Sequence, residues 1–428
     1  MVAAGGAASS WVPPPLPDCG DAPGSVLLDL RCYIADLPNA TTAAGFTRRG
    51  LPIQVTFRAA RPPAGPLPPL LVATHADLVL LRAPVGPGAL VCATTRYWEY
   101  FVYRAHPPRL DSIPNPFPKF VHDSEAALLS LEDGGYVLAA LRNRIPRRDS
   151  RCGGALIMTE FDLHLYRSSN ADEGWITKWL SVEEPVRDTL APVPRAVADS
   201  VMFHETSKTI TVGGERGTVA WVDLWRGIIL CDVLVECPLL RDIPLPLPAK
   251  GNWDCLLQEY NPRYLRDITI SRHENSIKYI EMELSPPKEQ ERTTPESYLD
   301  WVRQNRRTSL VRRDGWKATI WAMPIPVASW EEWHLEHDVD VDDLSVDASK
   351  PWFYTPLISV AFPTISMDED DVYLLSEVDG MEVLVAVDVK KKALQGVAEL
   401  DPQKNFYWMP SYCSSEISSY RKETTCNF

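Results

Sequence analysis

Two histidines and a glutamate stand close together at His334, Glu336 and His337, and side chains of these types bind zinc in metallopeptidases. A zinc peptidase needs the spacing HExxH or HxxEH, which places both imidazoles one helical turn apart. The spacing here is HxEH, and the sequence offers no identifiable third ligand. We therefore predict surface histidines in an acidic loop, and we predict neither a metal nor a cofactor.

The same segment is rich in carboxylates, which raises the question of calcium binding. Residues 331–347 contain eight Asp and Glu and no Lys or Arg. Asp338 begins a run of alternate aspartates like that of an EF-hand loop, but position six is Asp343 instead of Gly and position twelve is Ser349 instead of Glu. We predict a solvated acidic loop over about 331–350, whose charge would suit a basic partner.

Motifs for nucleophilic catalysis and phosphate binding are missing from the sequence. It has no GxSxG elbow, no Walker loop and no GxGxxG, and none of its cysteines stands in a recognised catalytic context. The glycine-rich stretch Gly213–Gly217 joins two strand-like runs, so it is typical of a hairpin turn. The lack of these motifs favours a protein that is not an enzyme.

An enzyme remains an alternative, because propellers can collect ionisable side chains from separate loops around a channel. Four residues near predicted strand ends are the candidates for such a loop-borne active site: His75, Asp111, His204 and Asp254. Sequence neighbours alone cannot establish a catalytic arrangement, since such groups are recognised by geometry.

Two arginine clusters are the basic features of an otherwise acidic chain. The first comprises Arg142, Arg144, Arg147, Arg148 and Arg151, and the second comprises Arg303, Arg306, Arg307, Arg312 and Arg313. Solvated loops explain both clusters, with RNA binding as an alternative that the net charge of −14 disfavours. Ser309 follows two arginines of the second cluster and is a possible phosphorylation site.

These residues must be positioned by β-structure, because strand-turn-strand patterns recur along the chain. The patterns are GTVAWVDLWRGIILCDVL at 217–234, a longer-looped version at 159–182, and VLVAVDVKKKALQGVAEL at 383–400. Short β-branched runs bounded by turns predict an all-β propeller-like array of about six four-stranded blades. Two smaller β domains, divided near Pro244–Pro248, are the alternative.

The predicted domain organisation follows from shifts in composition. Residues 1–24 form an Ala/Gly/Pro-rich flexible tail, residues 25–412 a single propeller-like domain, and residues 413–428 a C-terminal tail. A polar insertion over about 285–313 contains the best helix candidate, residues 296–307. Paired tryptophans are predicted to fill the wedges between blades.

Bulk properties limit the location of the protein. The 428 residues include 38 prolines and nine cysteines without metal or disulfide spacing, which favours a reducing compartment. No apolar run is long enough to span a membrane, and the N-terminal stretch lacks the arginines of a plastid transit peptide. We expect the cytoplasm, the nucleus or both.

The hairpin string WVDLWRG at 221–227, followed by RDIPLP, resembles a plant family called domain of unknown function 1618, which is numerous in grasses. Further similarity lies at SVLLDLRCYIADLPNATTA and FDLHLYRSSNADEGWITKW. The resemblance implies no established activity, and links to stress and development. Its signature residues are predicted to be structural: Trp221, Asp223, Trp225, Arg226, Gly227 and Asp232.

In that signature, Asp223 and Arg226 are expected to tie the turn, and Gly227 to supply a positive φ. Taken together, these patterns predict a non-enzymatic scaffold that binds a protein partner of unknown identity, without membrane contact and without a role for nucleic acid.

Overall fold

A computed structural model describes most of the chain. It covers residues 26–30, 32, 38–57, 70–85, 98–115, 122–148, 156–192, 202–253, 255, 260–284, 297, 315–345, 360–378, 381–399 and 412–420. The predicted N-terminal tail, the second arginine cluster with Ser309, and the helix candidate apart from residue 297 lie outside the described residues.

The described strands form five four-stranded antiparallel sheets and three two-stranded ribbons. Strand β1 (Val26–Asp29) and the hairpin β2 (Ala43–Phe46) and β3 (Pro52–Val55) come first. Blade 1 contains β4 (Leu70–His75), β5 (Leu78–Pro84), β6 (Trp98–Arg104) and β7 (Arg109–Ile113). Blade 2 contains β8 (Ala126–Ser130), β9 (Tyr136–Asn143), β12 (Glu160–Arg167) and β13 (Ile176–Ser181), with the ribbon β10 (Arg147–Arg148) and β11 (Leu156–Ile157) between β9 and β12.

The remaining blades follow the same plan. The short helix α1 (Arg187–Leu190) precedes blade 3, which contains β14 (Lys208–Gly213), β15 (Thr218–Asp223), β16 (Gly227–Asp232) and β17 (Leu240–Pro244). Blade 4 contains β18 (Arg266–Ser271), β19 (Ser276–Leu284), β20 (Trp316–Pro324) and β21 (His334–Asp340). Blade 5 contains β22 (Val360–Ile365), β23 (Asp371–Val378), β24 (Met381–Asp388) and β25 (Ala393–Glu399), and β26 (Tyr412–Ser415) comes last.

Short 3-10 helices connect several strands. They are Asp123–Glu125, Ser168–Glu173, Lys250–Asn252, Pro262–Tyr264, Trp330–Glu332, Val341–Asp343 and Ile417–Tyr420. No helix in the part of the chain that the structure describes is long and apolar enough to cross a membrane.

Alternation along the strands places a hydrophobic core between consecutive blades from blade 1 to blade 5. Leu128 and Leu138 of blade 2 pack toward blade 1, whereas Leu129 and Leu163 pack toward blade 3, where Trp221 is fully buried. Further clusters join blade 3 to blade 4 and blade 4 to blade 5. Because the blade 3–4 core spans the division proposed near residues 244–248, the propeller is confirmed and the two-domain alternative is wrong.

The ring has five blades where about six were predicted. The difference arises because β1 pairs with β26 as a two-stranded ribbon that fills the gap between blades 5 and 1. The Ser414 hydroxyl donates to the Ile365 carbonyl of β22 at 2.8 Å, and the Leu71 N–H of β4 donates to the Leu30 carbonyl at 2.8 Å. Residues 412–420 therefore belong to the ring, and a C-terminal tail cannot begin at 413.

Three predicted hairpins are present as β12–β13, β15–β16 and β24–β25. The acidic segment needs correction, because β21 occupies its centre as the outermost strand of blade 4 and pairs with β20. Its polar sequence fits an edge strand, which has one neighbour and a solvated outer side.

Candidate functional site

The innermost strands of the blades surround a cavity of about 980 Å³. Strands β4, β14, β18 and the ribbon strand β26 contribute to its wall, together with part of β22. We call the end where β14 and β18 begin the first mouth, and the end where β4 and β18 finish the second mouth. The lining combines threonine hydroxyls, apolar side chains and ionisable groups of both signs.

The ionisable groups at the first mouth connect blades 3, 4 and 5. Lys208 of β14 binds Asp267 of β18 at 2.7 Å, and Asp267 also accepts from the Ile365 N–H of β22 at 3.3 Å. The Arg263 guanidinium donates to the Ser207 carbonyl. Burial lowers the pKa of Arg263, and the neighbouring Asp267 carboxylate opposes that shift. These groups are occupied in holding neighbouring blades together.

A second set of groups joins blades 1 and 2 beside the cavity. Asp123 accepts from Arg82 at 3.0 Å and from the Tyr100 hydroxyl at 3.1 Å. Burial raises the pKa of Asp123, while Arg82 acts in the opposite direction. Arg82 also lies over the Trp98 ring, 4.5 Å from its centroid. The Asp123 carboxyl group thus has two protein partners, both from blade 1.

His75 and Arg272 occupy the second mouth. The Nδ1 atom of His75 accepts the Ser130 N–H at 3.0 Å, which requires that nitrogen to be unprotonated. Burial and the positive charge of Arg272 lower the pKa of His75 to about 3, so the imidazole is neutral near pH 7. Arg272 lies 3.5 Å from Glu416, whose carboxylate accepts the Ala76 N–H at 2.9 Å. This mouth therefore ties the C-terminal ribbon to blades 1 and 4.

The signature turn at 223–227 is held by Asp223, as predicted. Its Oδ1 accepts the N–H groups of Trp225 at 3.0 Å and Arg226 at 3.2 Å, and its Oδ2 accepts the Glu205 N–H at 3.1 Å. One carboxylate thus satisfies two turn amides and a third from the preceding segment. Asp223 is an Asx-type turn residue whose second oxygen joins the turn to the rest of blade 3.

Gly227 needs correction, because its φ is not positive. It begins β16, opposite Pro244 of β17. A Cβ atom at this position would lie 2.8 Å from the Ile243 carbonyl oxygen and 3.1 Å from the Pro244 Cα. The glycine is therefore explained by close backbone approach, a second reason for glycine that sequence cannot distinguish from the first.

The side chain of Arg226 does not tie its own turn. Its guanidinium donates to the Phe203 carbonyl at 3.1 Å and the Met202 carbonyl at 3.4 Å, and it forms an ion pair with Asp188 of α1. The signature arginine therefore fastens the connection between blades 2 and 3 to the turn. Asp232, at the other end of β16, pairs with Arg216 at 3.0 Å and accepts from Thr218 at 2.7 Å.

A fully buried ion pair lies behind Gly227. Arg187 of α1 donates from Nε to Asp242 Oδ1 at 2.6 Å, and its backbone N–H donates to Oδ2 at 2.9 Å. His204 Nδ1 lies 3.1 Å from the Arg187 guanidinium, and its Nε2 lies 3.1 Å from the Thr206 hydroxyl. Burial, Arg187 and Arg226 lower the pKa of His204, so it accepts from Arg187 as a neutral imidazole.

Blade 4 is connected to the same turn through Arg266. Its guanidinium donates to the carbonyls of Leu224 at 2.8 Å and Trp225 at 3.2 Å, and it pairs with Glu281 at 2.6 Å. It also lies 4.4 Å from the centroid of the Trp225 ring. The signature turn is thus the centre of a buried ionic network that joins three consecutive parts of the ring.

The three enzyme candidates that the structure describes are not brought together. His75 lines the cavity, whereas His204 is enclosed in the ionic network. Asp111 lies on β7, where it pairs with Arg109 at 2.7 Å, and Asp254 lies outside the described residues. Among the residues that the structure describes, no group of three or more His, Cys, Asp and Glu side chains could hold a metal ion.

Four residues that complete the buried network were not predicted from the sequence: Arg187, Asp242, Arg266 and Glu281. Asp242 stands in the RDIPLP string, so a charged residue inside an apolar strand was a usable signal there. Arg187 and Arg266 carry no local pattern, because their partners are 55 and 15 residues away.

Several solved structures align with this chain at low similarity. A structure from a mechanistic study of two prolyl endopeptidases aligns over 83% of this chain with 11% identity and a TM-score of 0.33, and the chain spans only 37% of its length. The β-propeller domain of Nup133 from Vanderwaltozyma polyspora aligns over 80% of this chain and 69% of its own, with 9% identity and a TM-score of 0.33.

The Cps50 (Swd1) β-propeller domain from Myceliophthora thermophila aligns over 86% of this chain and 89% of its own, with 8% identity and a TM-score of 0.31. No match was found among curated proteins.

Residues 221–373, which begin in the signature hairpin and extend into blade 5, match the family described as "Protein of unknown function (DUF1618)". This match confirms the predicted family resemblance over that segment.

Proposed function

We propose that this protein is a non-enzymatic scaffold that binds another protein through the outer parts of its blades. The first support comes from the cavity that the innermost strands surround. Its ionisable side chains are engaged with one another, as in the pairs Lys208–Asp267, Arg82–Asp123 and Arg272–Glu416. Such pairs hold neighbouring parts of the ring together, which gives these side chains a structural role.

The observation that carries the proposal is the position of exposed apolar side chains. Nine large apolar side chains are exposed among the described residues, and four of them belong to blade 2: Ile145, Leu156, Ile176 and Trp179. Exposed apolar groups that cluster, with charged groups around them, are typical of protein interaction sites. Tryptophan and arginine are also the residues most often found at the energetic centre of such sites.

The two alternatives receive less support. An enzyme with a loop-borne active site would need its candidates to converge, and His75, Asp111 and His204 lie in three separate environments. RNA binding through the first arginine cluster is disfavoured by the net charge of −14, because phosphate binding needs a basic surface. The family resemblance supports a plant cell as the setting, in cytoplasm or nucleus, with a role in stress or development.

Affinity purification tests the proposal directly. The tagged full-length chain is recovered from plant tissue at low and at high salt, and co-purifying proteins are quantified by mass spectrometry. We expect one protein in near-stoichiometric amount, with less recovered at high salt because exposed charges are screened. A His75→Gln variant, altered only in the channel, should retain the same partner.

Recovery of the chain alone at both salt concentrations would contradict a scaffold. A partner or small molecule lost from the His75→Gln variant would point to the channel instead of the blade exteriors.

A further inference from the structure

The outer end of blade 2 combines apolar, cationic and unpaired backbone groups on one surface. We call this surface the blade 2 edge and define it by Arg144, Ile145, Arg147, Arg148, Leu156 and Trp179. Ile145 is 91% exposed and Trp179 is 61% exposed, although both are large apolar side chains. Exposed large apolar side chains with charged groups around them are typical of interaction surfaces, so their exposure here needs an explanation.

The backbone of β13 offers hydrogen bonds along this surface. Within the described residues β13 pairs with β12 only. The Val182 N–H donates to the Thr159 carbonyl at 2.9 Å, which fixes the register of the hydrogen-bonded pairs. Since such pairs alternate along an antiparallel ladder, the N–H and C=O groups of Thr177 and Trp179 point away from β12. The edge ends at Ser181, because Leu240 of blade 3 lies beside it through a bridge to Val182. An extended peptide could add to this edge as a fifth strand.

The arginines are oriented by carboxylates and stay partly exposed. Arg144 binds Asp162 at 2.7 Å and lies 5.6 Å from the centroid of the Trp179 ring, with its side chain 42% exposed. Arg147 binds Glu160 at 2.5 Å, with its side chain 58% exposed. Arg148 follows on the same short ribbon and is exposed. Fixed guanidinium groups beside an apolar ring suit carboxylates that arrive with an apolar neighbour.

Local charge contrasts with the charge of the whole molecule. The chain has net charge −14, and its acidic outer strand β21 lies two blades away. Two exposed glutamates, Glu183 and Glu184, follow β13. They lie beyond Val182, where a bridge to Leu240 of blade 3 ends the open part of the strand edge. A negatively charged partner would therefore be repelled by most of the surface and attracted at the blade 2 edge, which orients it.

We propose that the blade 2 edge binds an extended acidic segment of a partner protein, which adds to β13 as a further strand. An apolar side chain of the segment would pack on Trp179 and its carboxylates would meet Arg147 and Arg148. This inference rests on the proposed scaffold function and specifies its surface and its partner. A peptide fits better than RNA, because an open strand edge complements a peptide backbone and Trp179 is the one aromatic side chain defining this surface.

The test begins with selection of short random peptides displayed against the full-length chain, followed by fluorescence anisotropy with the enriched peptides. We expect enrichment of Asp or Glu with aliphatic or aromatic residues. Trp179→Ser should weaken binding by about tenfold or more, as expected for a central anchor. Arg148→Glu should weaken binding and reduce its salt dependence.

Two matched pairs separate side-chain from backbone effects. Thr177→Pro removes an outward N–H that is not bonded to β12, and proline is tolerated on edge strands, so it should weaken binding more than Thr177→Ala does. Both substitutions remove the hydroxyl that lies 2.8 Å from His164 Nδ1, so the comparison isolates the N–H. Leu335→Ser removes a side chain that is 53% exposed on the edge strand of blade 4 and should leave binding unchanged. Circular dichroism and melting temperature confirm that each variant is folded.

Several outcomes would overturn the inference. Peptides without acidic residues, or binding insensitive to both Trp179→Ser and Thr177→Pro, would exclude this surface while leaving the scaffold function intact. Failure to enrich any peptide would also exclude it, and the affinity purification would then decide separately whether the scaffold stands. A uridine-rich RNA oligomer that binds with the same dependence on Arg148 and displaces the peptide would favour RNA.

Discussion

Gly227 and Ile243 face each other so closely across blade 3 that a single added carbon would not fit. A Cβ on Gly227 would lie 2.8 Å from the Ile243 carbonyl oxygen and 3.2 Å from the Arg187 guanidinium carbon. The signature glycine therefore lets β16 and β17 approach each other over the buried Arg187–Asp242 pair. This contact makes the signature hairpin structural in a testable way.

Substituting Gly227 should destabilise the protein through this contact. Gly227→Ala is expected to lower the free energy of unfolding by about 1–3 kcal/mol, because an extra methyl group forces a packed backbone apart. Gly227→Val should be worse and reduce soluble yield. Gly396→Ala is the matched control, since that glycine lies in β25 with no atoms within 4 Å of an added Cβ. Equal melting temperatures for both alanine variants would refute the close-approach explanation.

Breaking the Arg187–Asp242 pair should destabilise the protein strongly, whereas replacing both residues by apolar ones should destabilise it much less. Asp242→Leu alone is expected to cost about 3–5 kcal/mol, because it leaves a guanidinium buried without its partner. Arg187→Met combined with Asp242→Leu should recover much of that loss. Arg109→Ala, which breaks an ion pair with Asp111 at a 69% exposed arginine side chain, should change stability by less than about 1 kcal/mol.

Denaturant unfolding of the single and double variants measures these differences. A double variant as unstable as the sum of its single variants would show that the pair is not coupled.

The His75 imidazole should make stability depend on acid. Its pKa is about 3 in the folded protein, below the ordinary value of 6.5. Between pH 3 and pH 6.5 the unfolded chain therefore binds a proton at His75, whereas the folded protein does not. The contribution of neutral His75 to the free energy of unfolding is complete above pH 6.5 and is lost as the pH falls toward 3. His204, whose pKa is also lowered by burial, adds a contribution of the same sign.

His75→Gln keeps an acceptor for the Ser130 N–H and removes the titration. We expect a shallower loss of stability from pH 6.5 downward in this variant, measured by denaturant unfolding across the range. The same substitution at the exposed His273 serves as the control. An unchanged slope in His75→Gln would contradict the lowered pKa.

Closure of the ring should depend on the C-terminal ribbon. Truncation after residue 411 removes β26 and with it the pairing with β1, the Ser414–Ile365 bond and the Glu416 contacts to Ala76 and Arg272. We expect a lower melting temperature and faster hydrogen exchange in blades 1 and 5, whose neighbour is lost.

Truncation after residue 420 keeps those contacts and is the matched control. If the two truncated proteins melt and exchange alike, β26 does not close the ring.

Some of this architecture could be predicted from local patterns. Alternating β-branched runs with turn residues between them are recognisable over a few residues, so the hairpins at 159–182, 217–234 and 383–400 were predicted and are present. The role of Asp223 followed from its place at the start of a turn. Each of these features depends on residues that are near one another in the chain.

Other features depend on residues that only the folded ring brings together. The blade count was wrong because β1 and β26, at opposite ends of the chain, pair with each other instead of completing a sixth blade. Gly227 was assigned a positive φ because sequence shows a turn glycine but not the Ile243 carbonyl beside it.

The amino-acid sequence by itself determined the class of the fold, the main hairpins, the family resemblance and the net charge, because these follow from local periodicity and composition. The tertiary structure decided the number of blades, the buried network around Arg187 and Asp242, and the separation of the enzyme candidates. It also placed arginines and Trp179 beside the open edge of β13. The physical reason is that burial and pairing energies depend on distance in space, and distant chain segments become neighbours only when the ring closes.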